Sequence, residues 1–352
     1  MTKQERQTQI LETVRNNGVD ILSTRSLAET FNVSEITIRR DLQELAHEGL
    51  IQRQHGGVSV PKVPTASLRH VGILLAHRHG KFSHPFFNEV LEGADRKLQS
   101  LGYHPAFVKT SVEVDSVQAI KDLIESHPIE GLLVLGELKD EQLSKLREHI
   151  PHIVSTAATG DGILFDGQSG VEQMMTHLIE MNYKRIAFIA SNGPSGLVDS
   201  RLKGYISSLT QHKLAHDPDL IFEMDQAVEL FPYKISRQGA EKLMNLTPPP
   251  EVIMCSSDMI ALGVMQWLQE HGYCIPEDVA VTGFDDIPES VRTFPPLTTV
   301  HVHKQLMGKL AAELLHRRIE NPSDPPIKIM TPTYLVVRES CSATKMLEEV
   351  AS

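Results

Sequence analysis

From Val71 onward the chain alternates strand-sized apolar runs with amphipathic helical stretches, and no other feature restricts its fold as strongly. The runs predict strands at Val71–Ala76, Tyr103–Val108, Gly131–Leu135, His152–Ser155, Arg185–Ala190, Glu251–Met254 and Val279–Thr282. Helical periodicity falls at Gln168–Met181, Leu197–Gln211, Arg237–Asn245, Met259–Glu270 and Lys304–Ile319. Strand, helix and strand in succession build parallel sheets through right-handed crossovers. Two runs of strands, each half about 100 residues, suit two similar lobes better than one large sheet.

The first sixty residues follow another pattern. Ile10, Leu11 and Val14 repeat at helical spacing up to Asn17-Gly18, and Leu27, Ala28 and Phe31 mark a short helix closed by Asn32-Val33. Ser34 caps a third helix whose buried stripe is Ile38, Leu42 and Leu45, ending at Gly49. Leu50–Gln54 and Val58–Val60 then read as a hairpin turning through His55-Gly56-Gly57. The fold class expected is α/β: an N-terminal winged helix-turn-helix over 1–60, a Pro- and Ser-containing linker over 61–69, and a two-lobed body over 70–340. Lobe 1 is expected to take about 70–164 and 292–325, lobe 2 about 165–291 and 326–340, with a tail at 341–352.

Charge is divided between these parts. The net charge of −11 argues at first against a nucleic-acid partner, but residues 1–66 hold eight of the 34 Lys/Arg and eight of the 45 Asp/Glu. The whole excess therefore lies in the remainder, which repels DNA, and any DNA contact falls to the neutral N-terminal part. On its third helix the face opposite the stripe presents Glu35, Thr37, Arg39, Arg40 and Gln43. Thr and Gln can read base edges, and Arg can grip guanine or a phosphate. Ser34 stands at the helix start, and Gln52, Arg53, Gln54 and His55 form the wing. The plain alternative is a surface helix with one arginine paired to Asp41 or Glu44.

The surrounding pattern decides between them. Arg6, Ile10, Leu27-Ala28, Phe31-Asn32-Val33-Ser34, Thr37-Ile38-Arg39-Arg40-Asp41-Leu42, Leu45, Gly49 and Arg53-Gln54-His55-Gly56-Gly57 together resemble the DeoR-type helix-turn-helix across residues 6–57. That resemblance implies double-stranded operator DNA as partner, with Ser34, Glu35, Thr37, Arg39, Arg40, Gln43, Arg53 and His55 facing it.

The body resembles the effector-binding part of LacI/GalR repressors, which is built like periplasmic sugar-binding proteins. The likeness is densest in Pro250–Thr299: Ser257-Asp258-Met259-Ile260-Ala261-Leu262-Gly263, Ile275-Pro276-Glu277-Asp278-Val279-Ala280-Val281, Gly283-Phe284-Asp285-Asp286 and Pro296-Leu297-Thr298-Thr299-Val300. Pro85-Phe86-Phe87, Asp166…Gly170…Leu178 and Arg201-Leu202-Lys203-Gly204-Tyr205 fall at the family's other landmarks. The residues also suit a sugar, whose hydroxyls take charged hydrogen-bonding groups and whose ring takes an aromatic cover. Arg201 and Asp285 match ligand-contacting positions of the family; Phe86, Phe87, Ser257, Asp258 and the aromatic Tyr233, placed before its helix, are further candidates. Phe86 or Phe87 reads equally as core, Asp258 equally as a helix cap, and Asp286 as structural.

The resemblance implies a cytoplasmic, homodimeric regulator of carbohydrate genes, most simply a repressor released by a small sugar. A phosphorylated sugar or nucleoside is the alternative effector, and a sugar-processing enzyme a weaker one. There is no GxSxG, Walker or GxGxxG pattern, so no catalysis and no cofactor are expected. Two departures stand out: residues 58–69 hold two prolines and no helical stripe where LacI-type proteins have a hinge helix, and Ser257 replaces the usual Asn before Asp258. The Cys residues are three and far apart, which suits a reducing compartment. Met1–Arg6 has no apolar signal core, and no apolar run approaches a membrane span, so no membrane contact is expected. His77, His79 and His84, and the pair His301 and His303, lack a Cys or carboxylate at ligand spacing and predict no metal site.

Overall fold

The structure is a computed structural model. It describes residues 6–7, 9–10, 13, 23–47, 52–54, 57–59, 69–76, 82–114, 116–138, 140–156, 160–191, 200–224 and 232–341. The chain divides into two compact units, Met1–Leu68 and Arg69–Ser352.

In the first unit, helix α1 (Thr24–Phe31) starts at Ser23, whose hydroxyl accepts the Ser26 N–H at 3.0 Å. It stops at Asn32, which takes the left-handed conformation (φ 52°) and donates its N–H to the carbonyls of Ala28 and Glu29. That turn leads into α2 (Glu35–His47). Ile38, Leu42 and Leu45 on α2, Leu27 and Ala28 on α1, and Ile10 make one buried cluster. The hairpin pairs β1 (Gln52–Gln54) antiparallel with β2 (Gly57–Ser59); the first two residues of the expected strand, Leu50 and Ile51, lie outside the described residues.

In the second unit, six parallel strands form the first sheet in the order β13-β7-β6-β5-β3-β4. They are β3 (Arg69–Ala76), β4 (Tyr103–Thr110), β5 (Gly131–Gly136), β6 (Ile153–Ser155), β7 (Asp161–Phe165) and β13 (Lys328–Thr331). Helices α3 (Pro85–Ser100) and α10 (Lys304–Glu320) cover one face. Gly93 and Gly308 let these two helices touch, because a Cβ on either would strike the other helix's backbone. Helices α4 (Val117–Ser126) and α5 (Asp140–Arg147) cover the other face, over Leu74, Leu132 and Val134. Burial on both sides explains why these strands read as unbroken apolar runs.

The second sheet runs β11-β10-β8-β9, also parallel. Its strands are β8 (Ile186–Ser191), β9 (Ile221–Met224), β10 (Val252–Cys255) and β11 (Ala280–Thr282). Its helices are α6 (Gly167–Glu180), α7 (Ser200–Gln211), α8 (Pro232–Met244) and α9 (Asp258–Glu270). An antiparallel pair, β12 (Thr299–Val302) with β14 (Thr333–Val336), adjoins it through the Thr282–Thr298 bridge.

The chain passes between the lobes in three short segments: Phe165–Gly167, Val302–Lys304 and Thr331–Thr333. Two of them are tied together, since the Asp166 N–H donates to the Thr331 carbonyl at 2.9 Å and the Thr333 hydroxyl to the Asp166 carbonyl at 2.9 Å.

These positions correct the expected boundaries. Residues 326–340 do not all join lobe 2, because β13 pairs in register with β7 in the first sheet. Within 292–325, β12 lies with the second lobe and only α10 returns to the first. Arg69, placed in the linker from sequence, opens β3 instead and is held by Glu130 at 2.7 Å and Glu320 at 2.6 Å. The rest of the linker and the tail from 342 lie outside the described residues. Tyr233 stands inside the first turn of α8, not before it, because that helix begins at Pro232.

Candidate functional site

Two groups of residues carry chemistry, one in each unit. In the first unit, the Ser34 hydroxyl accepts the Thr37 N–H at 3.2 Å and shares a 2.9 Å hydrogen bond with the Thr37 hydroxyl. Glu35 lies 3.7 Å from Arg39, one helical turn on. Arg39, Arg40 and Gln43 are exposed and Thr37 is half-buried. Asp41, by contrast, is 2% exposed and accepts Arg6 Nε at 2.6 Å. Glu44 takes the Gln7 amide at 2.8 Å. Asp41 and Glu44 are therefore engaged by the N-terminal segment, and Glu35 pairs with Arg39. Arg40 has no ion-pair partner among the described residues.

The helix also shows what the sequence reading passed over. Ile36 is 79% exposed and lies on the ridge opposite the buried stripe, in line with Arg40 and Gln43. The apolar rank of Ile concealed it; the angular position on α2 could have revealed it. Arg53 stands opposite Val58 in the hairpin, and His55 lies outside the described residues.

In the second unit, Arg201, Ser257, Asp258 and Asp285 follow strands of the second sheet, and Phe86 and Phe87 follow the first strand of the other sheet. Phe86 and Phe87, in the first turn of α3, pack edge-on at 5.3 Å between ring centroids. Phe86 is core and reaches Phe165 at the end of β7, 6.4 Å away, while Phe87 is half-buried beside His84. Phe165 in turn lies 5.6 Å from Phe284, just beyond β11. Arg201, in the first turn of α7, sets its guanidinium 5.7 Å from the Phe165 ring centre and 5.5 Å from that of Phe284. Its Nη1 donates to the Ser256 carbonyl at 2.6 Å, at the end of β10. The path from Phe87 to Arg201 thus crosses from one lobe to the other. Neither Phe165 nor Phe284 was singled out from sequence, since each reads as ordinary strand-end hydrophobicity.

Asp285 follows Phe284 and is 6% exposed, with a left-handed backbone (φ 119°); Asp286 is left-handed as well (φ 54°). Two consecutive non-glycine residues in that region carry strain, which surrounding bonds must hold. Four groups do so. Lys304 is 2% exposed and donates its Nζ to the carbonyls of Asp285 (2.7 Å) and Asp286 (2.8 Å). The same ammonium lies 3.5 Å from Glu89 on α3, in the first lobe. Asp286 receives Arg338 at 2.5 Å and lies 2.8 Å from His301 Nδ1. Burial alone would raise the Asp286 pKa, but these two hydrogen bonds outweigh it and hold the carboxyl below its ordinary value. Lys304 was missed because a cation opposes the dipole at a helix start, so sequence rules assign it no role there.

Asp258 is corrected. It is fully buried, and its carboxylate accepts the Ile287 N–H (2.9 Å), the Ser290 hydroxyl (2.6 Å) and the Thr299 hydroxyl (2.5 Å). Gly283 is required beside it, because a Cβ there would collide with the carboxylate. Burial pushes this carboxyl up to about 6. Asp258 is therefore a strut under the Asp285 turn, neither ligand contact nor cap. The cap is Ser257, whose hydroxyl accepts the Ile260 N–H at 3.3 Å. The side chain of Tyr233 lies outside the described residues.

His301 serves Asp286 and stacks on Tyr334 at 4.7 Å, and His303 meets the same rings. Among the described residues no group of three His, Cys, Asp or Glu side chains is placed to hold a metal, and no helix is long and apolar enough to cross a membrane. A small apolar gap lined by Leu74, Phe107, Val114 and Ile150 lies under α4 and α5, away from the aromatic path. It presents no polar group that could orient a sugar.

Comparison with known proteins agrees with this division. Residues 6–63 match the DeoR-like helix-turn-helix domain, and residues 175–341 the periplasmic binding protein-like domain. The chain is 29% identical over 268 residues to the ribose operon repressor of Haemophilus influenzae, covering 75% of this chain and 79% of that protein. It is 27% identical over 244 residues to the HTH-type transcriptional repressor PurR of Aliivibrio salmonicida, covering 67% and 72%. A solved complex of the transcriptional regulator CelR with cellobiose shares the fold, with a TM-score of 0.69 at 23% identity over 94% of each chain. The chain thus joins a helix-turn-helix domain to a periplasmic-binding-protein-like body.

Proposed function

We propose that this protein is a ligand-responsive transcription regulator with a DeoR-type head and a LacI/GalR-type body, acting from the cytoplasm as a homodimer. One observation carries the reading. The chain holds an outward arginine on a helix whose neighbouring carboxylates are taken, and also a two-lobed body whose polar and aromatic groups meet at strand ends. An outward Arg40 beside Gln43 suits base edges and phosphates of duplex DNA. Groups that converge beyond the carboxyl ends of parallel strands suit a small ligand.

The effector is a small neutral sugar. Phe87 or Phe165 covers an apolar ring face, while Arg201 and Asp285 take hydroxyls, the guanidinium donating and the carboxylate accepting. Two of the three similar proteins carry a sugar in their names, ribose in one case and cellobiose in the other. The sugar favours one arrangement of the lobes, and DNA affinity changes with that arrangement; a repressor is released. The regulator performs no reaction and needs no cofactor.

Thermal melts of the purified protein against neutral pentoses, hexoses and disaccharides, with their phosphates alongside, test the effector class. A ligand that binds only the native state raises Tm by mass action. A neutral sugar that raises Tm, and loses the effect in Asp285→Ala, supports the reading. A response to phosphorylated sugars alone overturns it, because Asp285 would repel the phosphate.

A further inference from the structure

The strongest unexplained feature is Ile36. A single exposed aliphatic on a helix surface needs no explanation by itself. This one occupies the first turn of the outward helix and is 79% exposed between charged and polar neighbours. At 100° per residue, Ile36, Arg40 and Gln43 fall within about 60° of one another, on the side opposite Ile38, Leu42 and Leu45. Glu35 and Thr37, which flank Ile36, are engaged with Arg39 and Ser34 respectively. The centre of the ridge therefore presents one branched apolar side chain followed by one guanidinium and one amide.

A groove that accepts this ridge must offer a methyl-sized apolar spot beside hydrogen-bonding base edges. The major groove of DNA has such a spot only at thymine, whose C5-methyl projects into it. We infer that Ile36 packs against a thymine methyl and sets a thymine preference at one position of the recognised sequence, next to the bases or phosphates met by Arg40 and Gln43. The inference rests on the DNA-reading assignment above and adds the base class read by this side chain.

The test uses the full chain. Duplexes enriched from a randomised library by the wild-type protein are resynthesised with uracil in place of thymine, one position at a time, which removes the methyl and nothing else. At one thymine, or that thymine and its symmetry mate, the wild type loses about fourfold in affinity, the factor for one buried methyl-sized group. Ile36→Ala binds the thymine and uracil duplexes equally while still binding DNA, and the exposed site means the variant folds. If the wild type binds every uracil duplex as well as its parent, or if Ile36→Ala keeps the full discrimination, the inference is overturned while DNA reading stands. If the wild type enriches no sequence at all, both fall together.

Discussion

The outward helix of the head and the Asp285 turn of the body use charge in opposite ways. On α2 Asp41 and Glu44 are tied down by Arg6 and Gln7, Glu35 meets only the exposed Arg39, and Arg40 is left in solvent. In the turn the charges are turned on one another. Lys304 holds two strained carbonyls, Arg338 and His301 hold Asp286, and three donors saturate Asp258. The contrast fits the role proposed for each surface. A helix that meets a flexible polyanion gains from accessible cations, whereas a site that must present one carboxylate at a fixed angle needs its neighbours fully bonded.

The contrast breaks most sharply at Asp258. Asp258→Ala leaves three buried donors without an acceptor and is expected to destabilise the body by about 3 kcal/mol or more, measured by urea unfolding. The same substitution on the head, Glu35→Ala, removes only an exposed pair. Arg40→Ala comes next: DNA affinity falls about ten- to a hundredfold, as for loss of one base or phosphate contact, with melting and sugar response unchanged. An unchanged DNA affinity would mean that α2 does not face the groove.

Lys304→Met is a subtler probe, because it keeps the apolar stem and removes the donors. The expected result is a drop in sugar affinity of about tenfold with a fall in Tm of a few degrees, the turn being loosened rather than unfolded. Normal affinity would show that the turn holds its shape without the lysine.

Asp286 sharpens the comparison through pH. Its carboxyl is held below the ordinary value, so its contribution to stability is present above about pH 4 and is lost as pH falls through the native value. Asp286→Asn is therefore less stable than wild type at neutral pH by about 1–2 kcal/mol, and the gap closes in acid. Asp258 works in the opposite sense: its raised value makes its contribution fall as pH rises from about 4 to about 6. Smallest of all, Glu35→Ala changes stability by less than about 0.5 kcal/mol.

Much of this was legible in the sequence, and for identifiable reasons. The stripe Ile38, Leu42 and Leu45 repeats at helical spacing, and runs such as Gly131–Leu135 are apolar because both faces of a parallel sheet are covered. The strands β7, β9 and β12 do not stand out in the sequence, because they are short and mix in polar residues such as Asp161, Glu223 and Thr299. Within the site, Arg201 lies against Phe165 and Phe284, two rings that the sequence did not single out. Asp258 reads equally as ligand contact or helix cap in the sequence; only its saturation by groups 29 to 41 residues away gives it another role. Partners so distant in sequence leave no local pattern. The same holds for Lys304, whose targets lie 18 and 19 residues back along the chain.

The central claim is that one chain reads DNA with α2 and changes that affinity when a sugar binds its body. It is tested most directly by titrating the library-enriched duplex with wild type and Asp285→Ala, each with and without the sugar that raises Tm. The account predicts that sugar weakens the wild-type complex and leaves an equally tight Asp285→Ala complex unaffected. DNA affinity in the wild type that is indifferent to a bound sugar would contradict it.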